Sequence, residues 1–224
     1  MVSTPARLDQ LVGPDQGSSL VRQRIADAGR ELFLAQGYEQ TTVEAIAERA
    51  GVARRTFFRY FPSKDDVIFA DHDRIAQVLA AHLAALDDLP PLRAVCSGAR
   101  MIFRSYAEYP EVSVQRYRLV RSVPALRDRE IASVAQYTRA FARYLSARLS
   151  SPSPAGDLSA AAGTLATETG PDAGLAAATA AAAVVAAHNH VLRTWLRDGG
   201  TDDPFPALDA AFAWVLARFE PLSD

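Results

Sequence analysis

Four basic and four aromatic side chains lie together in the segment RRTFFRYFPSK, residues 54–64. Across residues 49–64 there are five basic side chains and no acidic one. Guanidinium and ammonium groups neutralise phosphates, and an arginine can donate two hydrogen bonds to the edge of guanine. These residue types therefore point to nucleic-acid binding, although the protein as a whole has a net charge of −2.

Helical spacing separates the aromatic side chains of this segment from most of the basic ones. Phe57 and Phe61 are four residues apart and share a face with Val52, which predicts that this face packs on the preceding helices. The outer face carries most of the polar side chains, namely Arg54, Arg55, Arg59 and Tyr60. The alternative is a solvated basic helix with an ordinary aromatic core behind it.

Two predicted helices precede this segment and place it in a helix-turn-helix arrangement. The first begins at Leu20 and ends before Gly37, where glycine favours a C-terminal cap. The second starts at Thr41, which forms a predicted capping box with Glu44, and it closes near Gly51. In this arrangement the second helix of the pair enters the major groove of DNA.

The starts of the two helices could also receive phosphates. Backbone N–H groups near Thr41 and Thr42, and near Ala53, lack helical partners and can bond phosphate oxygens. Ala53 is the predicted N-cap of the recognition helix and has no side-chain oxygen to act as one.

The rest of the sequence predicts helices throughout, so the fold class is all-α with about nine helices. A long fourth helix runs from Ser63, capped with Asp66, to the DDLPP segment; later helices span 91–108, 110–121, 123–150, 171–198 and 206–220. We predict a flexible arm over 1–19, a DNA-binding domain over 20–65 and a C-terminal bundle over 66–224. Residues 150–170 are rich in small and polar residues and predict a loop.

Composition favours a cytoplasmic protein without metal or cofactor. Cys96 is the single cysteine, which excludes an intramolecular disulfide and a cysteine metal cluster. The first 19 residues lack the apolar segment of a signal peptide. Residues 173–192 are mostly alanine and suit a packed helix better than a membrane span.

The sequence offers no catalytic constellation, so we expect a protein that is not an enzyme. His188 and His190 are two residues apart on a helix and point apart, whereas a metal site needs the spacing of four. Phosphate-binding glycine loops, nucleophile elbows and zinc-protease motifs do not occur. An enzyme with a helix-turn-helix appendage would need an acid, base or nucleophile set within residues 91–220.

Residues 22–68 resemble the DNA-binding domain of the TetR family of transcriptional regulators. The resemblance rests on the apolar first helix running into GYEQTTV, then IAERAGV, then TFFRYF, and PSK before the fourth helix. It departs from the family at Ala53, where Ser or Thr is usual, and at Phe58, where many relatives have tyrosine. The DNA contacts that the resemblance implies are Thr42, Arg54, Arg55, Thr56, Phe58, Arg59, Tyr60 and Lys64, to which the helix start adds Thr41.

The resemblance also implies a homodimer, formed by packing the last two helices against those of a partner. Trp195, Phe212, Trp214 and Phe219 are the candidate anchors of that interface. In a monomeric bundle the same side chains would form the core. A dimer places two recognition helices about 34–36 Å apart and so implies a palindromic operator.

The segment 116–149 resembles the C-terminal domain of the TetR subgroup named for the mycofactocin regulator, which implies an acyl-CoA-like ligand. The candidate pocket has apolar walls and a few polar groups, as ligand sites do. Its candidates are Met101, Phe103, Tyr106, Tyr117, Arg121, Tyr137, Phe141, Tyr144, His188 and Trp195. Arg116 and Arg118 could join Arg121 in binding a CoA phosphate. Aromatic side chains at this spacing also suit a core, and arginines also suit a solvated face.

Together these features predict a transcriptional repressor that a small lipophilic effector, for which an acyl-CoA is one candidate, releases from its operator. Two alternatives stay open. One is a drug-responsive repressor of an efflux pump, and the other is a constitutive DNA-binding regulator without a ligand.

Overall fold

The computed structural model describes residues 16–70, 72–149 and 173–219. In these ranges the protein is helical and contains no strand, which confirms the all-α prediction. The described ranges contain ten helices: α1 Gln16–Gln36, α2 Val43–Arg49, α3 Arg54–Tyr60, α4 Lys64–Ile68, α5 His72–Ala84, α6 Pro91–Ala107, α7 Pro110–Ser122, α8 Pro124–Leu149, α9 Ala173–Arg197 and α10 Phe205–Phe219. Residues 16–19 belong to α1; the remainder of the predicted arm and the predicted 150–170 loop lie outside the described residues.

The described chain divides into two compact units. Unit 1 comprises residues up to Ala81 together with Glu111–Glu130, and unit 2 comprises His82–Pro110 with the residues from Ile131 onward. Residues 66–81 and 111–130 are thus grouped with the N-terminal helices, whereas the sequence predicts a boundary at residue 65.

The core of unit 1 forms where α1, α2, α3 and α4 meet. Ile25, Ile46, Phe57 and Phe61 are fully buried there. Gly29 lets α1 and α4 approach closely, because a Cβ on it would lie 2.4 Å from Cγ1 of Val67. Val120 of α7 and Leu126 of α8 complete the same core. The core of the N-terminal helices therefore includes side chains, Val120 and Leu126, that lie more than 50 positions later in the chain.

The prediction of one long fourth helix is wrong, because the structure divides it into α4 and α5. Phe69 and Ala70 are both buried in the unit 1 core and lie outside the helices. The carbonyl of Ala70 accepts a hydrogen bond of 3.1 Å from Arg22. Packing of Phe69 and a side-chain partner for this carbonyl stabilise the break, which raises the number of helices to ten.

Unit 2 is built on α6, α9 and α10, which pack on one another. The face of α9 that is buried starts with small residues such as Ala177 and Ala181, so neighbouring helices can approach closely. Arg100 of α6 forms a two-pronged salt bridge with Asp209 of α10, at 2.8 and 3.0 Å. Gly199 and Gly200, both with positive φ, turn the chain between α9 and α10.

Candidate nucleic-acid interface and effector site

The turn between α2 and α3 is fixed by backbone geometry and by one arginine. Gly51 has φ +65°, a conformation that strains other residues. Val52 N donates to Ala47 O at 2.9 Å, which closes the turn. Arg24 of α1 donates to the carbonyls of Ala50 and Gly51, so α1 holds the turn as well.

The N-cap of α2 is Thr42, and the predicted capping box of Thr41 with Glu44 is wrong. Ala45 N donates to Thr42 Oγ1 at 3.1 Å. Thr41 is 1% exposed, and its hydroxyl donates to Gly37 O at 2.8 Å. Its side chain is thus used inside the domain, which corrects its prediction as a DNA contact. Thr42 is exposed.

Two aromatic side chains anchor α3 to the core. Phe57 and Phe61 are both 0% exposed, as the sequence predicts, and their ring centroids lie 5.9 Å apart. Phe58 packs edge-on against Phe57 and remains 42% exposed. Ala53 is the N-cap, as predicted, and no side chain caps this end of the helix. The seven-residue helix is therefore held by packing and the turn.

The opposite face of α3 carries an exposed basic surface made of Arg54, Arg55 and Arg59. The Arg54 guanidinium lies 4.9 Å from the Phe58 ring centroid, and that of Arg59 lies 5.0 Å from the Tyr60 ring. Stacking on a ring limits the conformations of an arginine side chain while its N–H groups stay available. Thr56 lies on the same helix and is half-buried.

Glu44 of α2 forms an ion pair with Arg54, at 2.5 Å, which sequence reasoning missed. A backbone hydrogen bond at Glu44 and the nearby Arg54 lower the pKa of this carboxyl. The pair spans the turn between α2 and α3, and its acidic member, Glu44, lies outside the acid-free 49–64 segment. A phosphate or a base must therefore displace Glu44 before it can bind all of Arg54.

Lys64 has structural partners that the sequence did not predict. Its Nζ donates to Tyr38 O at 2.9 Å and to Thr41 O at 3.2 Å, and it lies 4.0 Å from the Tyr38 ring centroid. The Tyr38 hydroxyl donates to Asp65, and burial followed by Asp65 raises the pKa of Tyr38 above its usual range. Lys64 thus joins α4 to the turn between α1 and α2.

Arg22 is a further residue that sequence reasoning missed. It donates to Tyr60 O at 3.0 Å and to Ala70 O, and its guanidinium lies 4.6 Å from the Phe61 ring centroid. One arginine on α1 therefore binds the end of α3 and the segment after α4. The sequence signal that could have identified Arg22 was its position next to the first apolar residues of α1.

Three of the predicted effector-site residues come together in unit 2. The Phe103 ring lies 5.4 Å from His188, edge-on, and 6.0 Å from Trp195, between centroids. Phe205, which the sequence analysis did not select, joins them at 5.9 Å from Phe103. We call Phe103, His188, Trp195 and Phe205 the aromatic cluster. Trp195 Nε1 donates to Asp202 O at 2.8 Å.

The other candidates of unit 2 lie on α6 and α8. Phe141 is buried, whereas Met101, Tyr106 and Tyr137 are half-buried. The hydroxyl of Tyr144 is buried without a hydrogen-bond partner, and burial raises its pKa.

Tyr117 and Arg121 belong to unit 1, whereas the other eight pocket candidates belong to unit 2. Their helix, α7, contributes Val120 to the unit 1 core. The guanidinium of Arg116, on the same helix, lies 5.5 Å from the Phe69 ring centroid. That Tyr117 and Arg121 line an effector site stays a prediction.

His188 and His190 differ in their surroundings. His188 is buried, and His190, two residues further along α9, is exposed. Within the part of the chain that the structure describes, no group of three or more His, Cys, Asp and Glu side chains could hold a metal ion.

Helix α9 is long and apolar enough to cross a membrane, judged by the length and hydropathy of Gly174–Arg197. The core helix of a globular protein meets the same criterion, and α9 buries one face against α6 and α10. Length and hydropathy alone therefore do not distinguish the two.

The sequence of residues 25–70 matches the family described as bacterial regulatory proteins, tetR family. The chain is 45% identical over 85 residues to the HTH-type transcriptional regulator TcmR of Streptomyces glaucescens, covering 36% of each protein. It is 29% identical over 131 residues to MftR of Mycobacterium tuberculosis, named as a mycofactocin biosynthesis transcriptional regulator, covering 58% of this chain and 66% of MftR. The aligned stretches thus span less than two thirds of the length of these relatives.

The fold is similar to that of Thermus thermophilus FadR, a TetR-family transcriptional repressor solved in complex with lauroyl-CoA. The TM-score is 0.54 at 20% identity, and the match covers 87% of this chain and 93% of FadR.

Proposed function

We propose that this chain is a DNA-binding transcription regulator that represses from a palindromic operator, because residues 25–70 match the family described as bacterial regulatory proteins, tetR family. The observation that carries the proposal is the division of α3 into two faces. Phe57 and Phe61 are fully buried, while Arg54, Arg55 and Arg59 are exposed on a helix that follows the Gly51 turn. Thr42, Thr56, Phe58, Tyr60 and Lys64 complete the proposed contact set.

A homodimer is part of the proposal, with α9 and α10 as the interface. Trp195 and Phe212 are buried within the chain, so they serve its own core. Trp214 of α10 is 66% exposed, and Leu175 of α9 is exposed as well. Large apolar side chains that a chain leaves exposed are typical of interfaces. Trp214 therefore becomes the proposed anchor against a second copy.

We propose that a small lipophilic effector binds unit 2 and lowers operator affinity. The lauroyl-CoA held by FadR, a protein of similar fold, supports an acyl-CoA as one candidate. A second candidate function, a regulator without an effector, is favoured by the complete burial of Phe103 and Phe141. A thermal shift with lauroyl-CoA that depends on its concentration would support the first candidate.

We further propose that the protein acts in the cytoplasm, without catalytic activity and with α9 as a core helix. The relatives are named transcriptional regulators, which supports a role on DNA.

The test of DNA binding is selection of duplexes from a random pool, followed by fluorescence anisotropy on the selected site. We expect a palindromic site, and affinity that falls steeply as salt rises. The double substitution Arg54→Ala with Arg59→Ala removes two phosphate or base contacts and should weaken binding at least about tenfold. Arg139→Ala with Arg143→Ala, on the exposed face of α8, removes the same charge and is the control. Equal affinity of the two double variants would disprove the proposed interface.

A further inference from the structure

His188 is a buried polar side chain that packs against an aromatic ring. It is 7% exposed and lies on the face of α9 that packs against α6. Its ring contacts Phe103 edge-on, and Phe103 in turn contacts Trp195 and Phe205. A buried polar atom in such a position usually has a hydrogen-bond partner, so each exception calls for an explanation.

The Nε2 atom of His188 is such an exception. Among the described residues, two buried side-chain nitrogen or oxygen atoms lack a hydrogen-bond partner, and these are His188 Nε2 and the Tyr144 hydroxyl. The indole N–H of Trp195 is already bonded to Asp202 O. Within the aromatic cluster, Nε2 is therefore the side-chain polar atom whose hydrogen-bonding capacity is unused.

The hydrogen bond on the other side of the ring determines what Nε2 offers. Nδ1 lies 3.2 Å from Asn189 Oδ1, and a hydrogen bond between them requires the proton on Nδ1, because an amide oxygen only accepts. In a neutral ring Nε2 then has a lone pair and acts as an acceptor. Burial lowers the pKa of His188 to about 4, which keeps the ring neutral near pH 7.

We propose that His188 Nε2 accepts a hydrogen bond from the effector, which presents a neutral O–H or N–H group beside an apolar body that packs on the aromatic cluster. This inference rests on the proposed function, because it assigns the polar anchor of the proposed effector site. An ionised carboxylate or a fully ionised phosphate cannot be the group at this position, since both offer only acceptors to a ring nitrogen that is itself an acceptor. The charged end of any larger ligand must lie elsewhere.

The first test observes the ring nitrogens directly, by NMR of the full chain labelled with 15N in its histidine rings. Phenol is the probe with a donor, and toluene and benzoate are matched probes without a neutral donor. We expect an unprotonated Nε2 in the free protein and a saturable shift of its resonance with phenol alone. The exposed His190 provides an internal control that should not shift. A protonated Nε2 in the free protein, or no response to millimolar phenol, would overturn the proposal.

The second test uses matched substitutions on α9. His188→Leu removes the acceptor but keeps an apolar side chain, so the preference for phenol over toluene, about fivefold from one hydrogen bond, should fall to about one. His190→Leu makes the same chemical change on an exposed site and should keep the preference. Calorimetric titration of phenol and toluene into the wild type and the two variants measures this preference. If His188→Leu keeps the preference, or if both variants lose it, the proposal is wrong.

Operator binding by the same three proteins separates this inference from the proposed function. If the operator binds and phenol leaves Nε2 unchanged, the inference fails and DNA binding stands. If phenol binds at Nε2 but no duplex is selected, the ligand site stands and the regulatory function fails.

Discussion

Burial of His188 makes the stability of the protein depend on pH. Its pKa is about 4 in the folded protein, against an ordinary value of 6.5 that applies to the unfolded chain. Between these values the unfolded chain binds more protons, so stability is complete above pH 6.5 and falls as the pH drops towards 4. We expect this residue to contribute a loss of roughly 3 kcal/mol across that window.

Chemical denaturation of the wild type and two variants at several pH values measures this effect. The free energy of unfolding of His188→Leu should fall less between pH 6.5 and 4. His190→Leu should follow the wild type, because His190 is exposed. If the free energy of unfolding of all three proteins had the same pH dependence, protonation of His188 would not destabilise the folded protein.

Sequence reasoning identified individual side chains well where helical spacing determines burial. Phe57 and Phe61 point inward because Phe57 lies on α3 and Phe61, the C-cap residue before Pro62, follows four residues later. Spacing cannot show a partner on another helix, and for that reason it missed Glu44 beside Arg54 and the backbone acceptors of Lys64.

At the scale of a helix, the uncapped start of α3 is a weakness that one substitution can correct. Ala53 has extended backbone angles, φ −70° and ψ 150°, which suit an N-cap, and no side chain accepts a hydrogen bond there. Ala53→Ser adds the missing acceptor and should raise the free energy of unfolding by about 1 kcal/mol. It also adds a hydroxyl at the start of the proposed recognition helix, so operator affinity should rise.

Urea denaturation and anisotropy measure the two effects of Ala53→Ser. Ala132→Ser is the control, since Ala132 is exposed within α8, where serine is slightly unfavourable. Equal stability of the two serine variants would contradict the capping argument.

The helix ends were predictable where a proline begins a helix or a glycine follows one. Pro91, Pro110 and Pro124 each begin a helix, and Gly199 follows α9. The break between α4 and α5 was not predictable from spacing. Ile68 and Ile75 are seven residues apart, close to two helical turns, so the apolar stripe of the sequence continues across the place where packing of Phe69 interrupts the helix.

At the scale of the whole molecule, the proposed dimer would set how strongly the protein binds DNA, because two copies of α3 would bind one palindrome. Trp214→Arg places a charge at the proposed interface, so we expect monomers in analytical ultracentrifugation. The slope of log affinity against log salt should fall to about half, since each monomer neutralises half of the phosphates. Ile131→Arg makes the same kind of change at an exposed apolar residue of α8, 62% exposed against 66% for Trp214, and should leave the dimer intact. A dimeric Trp214→Arg variant, or a monomeric Ile131→Arg variant, would show that the interface does not lie on α9 and α10 as proposed.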